Sequence, residues 1–262
     1  MLSLTTDYAA DRGCPEPYLR KIAAAGFTHV HWCHQWNTDF VYGDAEIEPI
    51  RQWLGDYGLQ LLDLHASMGP EKNWISAREY ERQAGVELVK NRIEMVRRLD
   101  ADVAIMHAGD ESSLEQLRKS LDALEPFARE RGVRIAIENG LLALIRKVLA
   151  EYAPDYIGLC YDSGHGNVSK DGLDQLESLK DRLISVHLHD NDSTGDQHNL
   201  LFTGTVDWPR LARLIAQSAY RKCVSMELSQ PRSGIADENI FLARAREVGE
   251  RFAVMILQEQ TR

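Results

Sequence analysis

Nine side chains of the kinds that bind metal ions or move protons recur along this chain: His65, His107, Glu138, Asp162, His165, His189, Asp196, His198 and Glu227. Most directly follow a short apolar run, as in LLDLH, DVAIMH, RIAIE, IGLCYD, ISVHLH and VSME. Three carboxylates (Glu138, Asp162, Glu227) with the imidazole of His189 suit a divalent ion of intermediate hardness, such as Mn²⁺, Mg²⁺, Co²⁺ or Zn²⁺. His65, His107, His165, Asp196 and His198 form a second, histidine-rich set suited to a Zn²⁺ ion or to substrate. Asp162, in DSGHGN, also carries the plainer reading of a helix cap. His187 is expected to turn away from His189 and to serve the fold alone. Glu138 and Glu227, on different strands, are the candidate acid–base pair for moving a proton.

Such residues can meet only if the elements between them fold into a ring. Apolar runs and helical periodicity alternate throughout. Strands are expected at Leu2–Thr5, Phe27–His31, Leu59–His65, Asp102–His107, Val133–Glu138, Tyr156–Tyr161, Leu183–His189 and Cys223–Leu228. Helices are expected at Pro15–Ala25, Ala45–Tyr57, Ser76–Leu99, Ser112–Arg131, Leu141–Tyr152, Leu173–Leu179, Trp208–Ser218 and from Asp237 or Glu238 to about Leu257. Ser76 with Glu79, and Ser112 with Glu115, read as capping boxes. Eight strands alternating with eight helices imply parallel strands joined by right-handed crossovers. The 262 residues suit one closed (β/α)8 TIM barrel, residues 1–262 as a single domain. An open sheet would gather its site from few strands at one switch point, whereas here strands three to eight contribute.

Composition narrows the partners. A net charge of −10 disfavours a nucleic-acid backbone, which is bound by neutralising phosphates. No apolar run is long enough to span a bilayer and no secretory leader is visible, so a cytoplasmic protein is expected. Four cysteines without CxxC spacing read as reduced thiols. No GxGxxG or Walker loop points to a nucleotide. Trp32, Trp36, Tyr42 and Trp74 lie in predicted loops, and Trp32 and Trp74 are candidate walls for a sugar. His31 and His34 are candidate substrate contacts. Arg232, in the loop after the last strand, is a candidate for a substrate phosphate.

The segments AIENG, CYDSGHGN, SVHLHDND, GDQHNLLFTGTVDW and SMELS resemble the xylose-isomerase-like barrel superfamily, which includes sugar phosphate isomerases/epimerases, ketose 3-epimerases, inosose dehydratases and apurinic endonucleases. The resemblance covers nearly the whole chain. It implies one metal held by Glu138, Asp162, His189 and Glu227, with His165 on the substrate. In the endonuclease branch, residues matching His65, His107, His165, Asp196 and His198 hold further zinc ions. One departure stands out: ketohexose epimerases place an Arg shortly after the metal-binding His, and here His189-Asp190-Asn191-Asp192-Ser193 has none. The expected activity is divalent-metal-dependent isomerisation or epimerisation of a small polyhydroxy carbonyl compound through a metal-stabilised enediolate. The alternatives are a zinc-dependent apurinic-type endonuclease, an inosose-type dehydratase and a catalytically silent sugar-binding barrel. A homo-oligomer is compatible with the sequence.

Overall fold

The computed structural model describes residues 1–261. Its strands are β1 (Leu2–Thr5), β2 (His29–Trp32), β3 (Gln60–His65), β4 (Val103–His107), β5 (Arg134–Glu138), β6 (Ile157–Asp162), β7 (Leu183–His187) and β8 (Val224–Met226). The principal helices are α1 (Glu16–Ala24), α2 (Asp44–Tyr57), α3 (Glu79–Arg98), α4 (Leu114–Arg131), α5 (Leu142–Glu151), α6 (Ser163–Val168), α7 (Gly172–Leu179), α8 (Trp208–Gln217), α9 (Gln230–Ser233) and α10 (Glu238–Gln260). All strand pairs are parallel, in the order β7-β6-β5-β4-β3-β2-β1-β8. The ring closes between β7 and β8. Leu188 N donates to Ser225 O at 3.0 Å, and Glu227 N donates to Leu188 O at 3.1 Å. This is a (β/α)8 TIM barrel, as the alternating pattern predicts.

Two apolar layers hold it together. The large one lies between strands and helices and includes Leu4, Val30, Leu64, Met106, Ile137 and Leu159 from the sheet. A separate small cluster of Val103, Ile105, Ala136, Cys160 and Ile184 fills one side of the bore. The two-residue strand period puts Val103 and Ile105 on the face of His107, Ala136 on that of Glu138, and Cys160 on that of Asp162. The opposite side of the bore is polar. Ser3, Thr5, His31, Asp63, Ser185, His187 and Ser225 are all buried. A bore half filled by polar groups needs a reason, because each such group loses its water.

The expected boundaries hold within a few residues, with informative exceptions. Neither expected capping box forms. Helix α3 starts at Glu79 behind Arg78, and the Ser76 hydroxyl bonds Glu81 instead. A short 3-10 turn at Glu111–Ser113 precedes α4, capped by Asp110 accepting from Ser112 N. Helices α6 and α9 are additions to the expected eight. Among the described residues, no helix is long and apolar enough to cross a membrane.

Candidate functional site

The strands' C-terminal ends open on a cavity of about 310 Å³. Its lining includes Thr5, Asp7, Trp36, His65, His107, Glu138, His165, Asp196, His198, Glu227 and Arg232. Residues from six strand ends and from the loop after β7 thus meet in one place. Asp162 and His189 lie buried behind this lining.

Glu138 is the hub. Its Oε1 lies 3.2 Å from His165 Nδ1. Its Oε2 lies 3.3 Å from His187 Nδ1, 3.4 Å from His65 Nε2 and 3.8 Å from His107 Nε2. Burial alone would raise the carboxyl's pKa, but His107 and His187 overcome that and hold it well below the usual carboxylate range. Glu227 is anchored the same way, with Oε2 3.0 Å from His187 Nδ1. Burial opposes its ionisation, yet His187 and His198 keep it well below its ordinary value. One oxygen each from Glu138, Asp162 and Glu227 and a nitrogen of His187 lie within 4.8 Å of one another.

Asp162 does both jobs the sequence allows. Its Oδ1 caps α6 by accepting from His165 N at 2.7 Å, and its Oδ2 lies 3.0 Å from His189 Nε2. Asn139 clamps the main chain beside it. The Asn139 amide donates to Asp162 O at 2.9 Å, and its carbonyl oxygen accepts from Asp162 N. The long loop after β7 is tied down by buried Asp190, which accepts from Trp208 Nε1 at 2.8 Å and pairs with Asn199 through the backbone. That anchoring carries Asp196 and His198 over the mouth. His198 adopts a φ of 51°, a left-handed conformation uncommon for a non-glycine residue.

Three mouth imidazoles share one tautomer. His65 Nδ1 donates to Ala66 O at 3.0 Å, His165 Nδ1 to Asn139 O at 3.0 Å, and His198 Nδ1 to Glu227 O at 2.9 Å. Each therefore offers Nε2 to the cavity, the usual preparation of a metal-ligating or substrate-binding histidine. Without a cation, protons take that place. Asp162 drives the His165 imidazole up to about 12. Burial opposes protonation of His198, but Asp196 beside it pushes it up to about 10. His107 is lowered, chiefly by burial.

The residues present fit a divalent cation. Glu138 Oε2, both nitrogens of His187 and His189 Nδ1 are buried without a hydrogen-bond partner. Carboxylate and imidazole donors left unpaired at one point are what a bound ion would satisfy. Two trios extend the site: His65, His107 and Glu138, and His189, Asp196 and His198, each with ligand atoms within 4.8 Å of one another.

Several expected positions fall elsewhere. Trp32 is buried, and its indole donates to Tyr42 OH at 3.1 Å; Trp74 is buried beneath α3. Neither lines the cavity, and Trp36 is the aromatic wall, 4.6 Å from His65 and 5.7 Å from His107 by ring centroids. Arg232 reaches the mouth, but its Nη1 donates to Asp196 O at 2.7 Å and so braces the loop. His31 and His34 are buried and line no part of the cavity. His187 does not turn away. Residues two apart share a face of a strand, so a strand that presents His189 presents His187 as well. Asp7 and Asp63 were missing from the expected set. Asp7 follows β1 at the mouth, its carboxyl raised first by burial and then by Glu227. The strand-end rule that finds Glu227 one residue past β8 would have found Asp7 two past β1.

A parallel barrel with a mouth of clustered carboxylates and histidines defines the class. Residues 19–245 match the family described as xylose isomerase-like TIM barrel, and the chain belongs to that family. An uncharacterized protein of Sinorhizobium fredii, y4fM, is 32% identical over 92% of this chain and 89% of its own length. The crystal structure of a D-tagatose 3-epimerase-like protein superposes with a TM-score of 0.80 at 17% identity, covering 98% of both chains. That of the E. coli 3-keto-D-glucoside 4-epimerase YcjR gives 0.70 at 18% identity, covering 92% of this chain and 93% of its own.

Proposed function

We infer that this protein is a metal-dependent isomerase or epimerase of a small sugar, sugar phosphate or related polyhydroxy carbonyl compound. The observation that carries the reading is the convergence of Glu138, Glu227, Asp162 and a histidine within 4.8 Å at the floor of a cavity walled by Trp36. Structural kinship to proteins described as sugar epimerases supports the same substrate class.

Glu138, Asp162, Glu227 and His189 are the residues we assign to the ion. Bound there, a divalent cation supplies positive charge that stabilises the oxygen of a carbonyl whose neighbouring carbon loses a proton. The chain's own groups do the rest. Both glutamates are held ionised by the surrounding histidines, so each is a base at neutral pH. For epimerisation one carboxylate removes the proton and the other returns one to the opposite face. For transfer between neighbouring carbons a single carboxylate suffices. His165 orients a substrate hydroxyl through Nε2. Trp36 packs on the sugar's CH face and excludes water.

The endonuclease reading calls for a basic strip to meet phosphates. Among the described lining residues Arg232 is the only lysine or arginine, and it is engaged with the loop. The chain's charge of −10 points the same way. The deciding experiment is hydrogen–deuterium exchange at carbon, screened over ketoses and keto-inositols in metal-loaded protein. Exchange is expected in the wild type and should fall by about 10²–10⁴-fold in Glu138→Gln or Glu227→Gln with sugar binding retained. Full exchange in both variants, or cleavage of abasic DNA without exchange, refutes the reading. The same screen addresses the dehydratase and silent-binder alternatives, through release of water or absence of turnover.

A further inference from the structure

Below the mouth, the polar side of the bore holds groups that the proposed reaction does not use. His31 of β2 and His187 of β7 are both fully buried, with ring centroids 4.4 Å apart. His31 Nδ1 donates to Asp63 Oδ1 at 2.8 Å, and the other oxygen of Asp63 accepts from the Ser185 hydroxyl. An ionised carboxylate only accepts, so the proton sits on Nδ1 and His31 Nε2 carries the lone pair. That Nε2 is buried without a partner. Both nitrogens of His187 also lack a hydrogen bond, although Nδ1 lies 3.0 Å from Glu227 Oε2.

Ligand atoms of His31, His187 and Glu227 lie within 4.8 Å of one another. Buried polar atoms are nearly always paired, so unpaired nitrogens gathered beside a carboxylate mark a missing occupant. We propose that His31, His187 and Glu227 form an inner site for a divalent transition ion of the zinc type, seated in the bore below the mouth carboxylates. Two imidazoles and one carboxylate are a zinc donor set, with room for a further ligand such as water. Asp63 behind His31 completes the carboxylate–histidine arrangement that fixes a ligand's tautomer and raises its basicity. Ser185 fixes Asp63 in turn. This chain of support explains why an aspartate and two serines sit inside a barrel whose other half is Val103, Ile105 and Ala136. The inner site does not depend on an ion at the mouth.

Elemental analysis of purified protein, stripped with a chelator and reloaded with Zn²⁺ or Co²⁺, tests it. The variant is His31→Asn, whose amide nitrogen can keep the bond to Asp63 while Nε2 is removed. It should lose one equivalent of metal and the corresponding band of the Co²⁺ visible spectrum. Asp162→Asn should lose the mouth equivalent and keep the inner one. Asp63→Asn leaves all three ligands in place and should weaken the inner ion by about 10–100-fold. It serves as the second variant should His31→Asn fold poorly, as judged by melting in chelator. Unchanged metal content and spectrum in His31→Asn, with the Asp162-dependent ion present, overturns the inner site and leaves the mouth reading intact; a water then fills the bore. Loss in His31→Asn but not in Asp162→Asn supports the inner site and overturns the mouth ion. No uptake by the wild type overturns both.

Discussion

Gly164 offers a direct test of whether the mouth depends on the position of His189. It lies in α6, between Asp162 and His165. A Cβ at this position would stand 1.9 Å from His189 Cε1 and 2.6 Å from each ring nitrogen. Ordinary contact begins at 3.4 Å. In Gly164→Ala the ring and the helix must therefore separate by about 1.5 Å, the difference between 3.4 and 1.9 Å. The ring has little room to retreat. His198 stacks on it at 4.1 Å, and Nε2 is engaged with Asp162 Oδ2 at 3.0 Å. If α6 moves instead, it carries Asp162 and His165 with it.

The energetic consequence is lopsided. Overpacking of this kind costs about 1–3 kcal/mol, offset by up to about 1 kcal/mol because alanine is the better helix former. The net loss is about 0–2 kcal/mol, a shift of a few degrees in melting temperature. A displacement of more than 1 Å in a catalytic constellation costs on the order of 10²-fold in rate. Gly164→Ala should thus stay folded in a thermal melt with chelator, yet bind Mn²⁺ or Zn²⁺ at least tenfold more weakly in a competition assay. Gly140→Ala is the control, since a Cβ there meets nothing within 4 Å. Wild-type metal affinity and carbon exchange in Gly164→Ala would refute the placement of His189 against the ion.

Further outcomes follow from the same geometry. Asn139→Ala leaves the Asp162 peptide groups without their clamp and should cost about 1–3 kcal/mol in urea denaturation, with weakened metal binding; an unchanged midpoint removes Asn139 from the support of the site. Trp36→Ala should weaken sugar binding with little loss of stability, whereas Trp74→Ala should cost about 3–5 kcal/mol of stability without a direct effect on the cavity; the reverse pattern in paired titration and unfolding experiments contradicts the reassignment of the aromatic wall. The metal-free protein should lose stability on alkalinisation. His198 is held up to about 10 in the folded state, so its stabilising interaction with Asp196 is complete below its unfolded value of about 6.5 and is lost as pH rises through about 10. Calorimetry in chelator should show a falling melting temperature over that window, with a shallower slope in His198→Gln; equal slopes in the two proteins would exclude the pair.

The barrel was legible because each strand is a short apolar run bounded by turn residues, and each long helix carries a continuous buried stripe. What escaped depends on contacts across the chain. Helix α6 begins Ser163-Gly164-His165-Gly166, a composition that reads as loop. It forms because Asp162 caps it, and the glycines allow His189 and the Tyr161 hydroxyl to lie against its backbone. The Ser76 capping box fails because that hydroxyl finds Glu81, five residues on, and the helix begins later. Trp74 looks like a sugar wall in a loop. Its burial depends on Gly85 of α3, where a Cβ would sit 2.2 Å from Trp74 N. No local pattern around Trp74 announces a gap on another element.

The histidines of β2 and β7 show where strand-end reasoning needs a second rule. Counting residues at strand ends selects the mouth, and it found the carboxylates and His189. It passes over what lies one layer down. The two-residue period supplies that layer: His29 and His31, Asp63 and His65, Ser185 and His187, and Ser225 and Glu227 are each two apart. Stepping inward by two from each mouth residue brings Asp63, Ser185, His187 and Ser225 into one layer on the strength of strand periodicity alone. A bore lined this way is a poor hydrophobic core. Its polar groups lower stability unless they are paired among themselves or with an occupant. Asp63 is fully paired, whereas His31 Nε2, both nitrogens of His187, Ser3 Oγ and Ser225 Oγ are not. The unpaired atoms are concentrated beneath Glu227, and that asymmetry is what a second ion in the bore accounts for and packing alone does not.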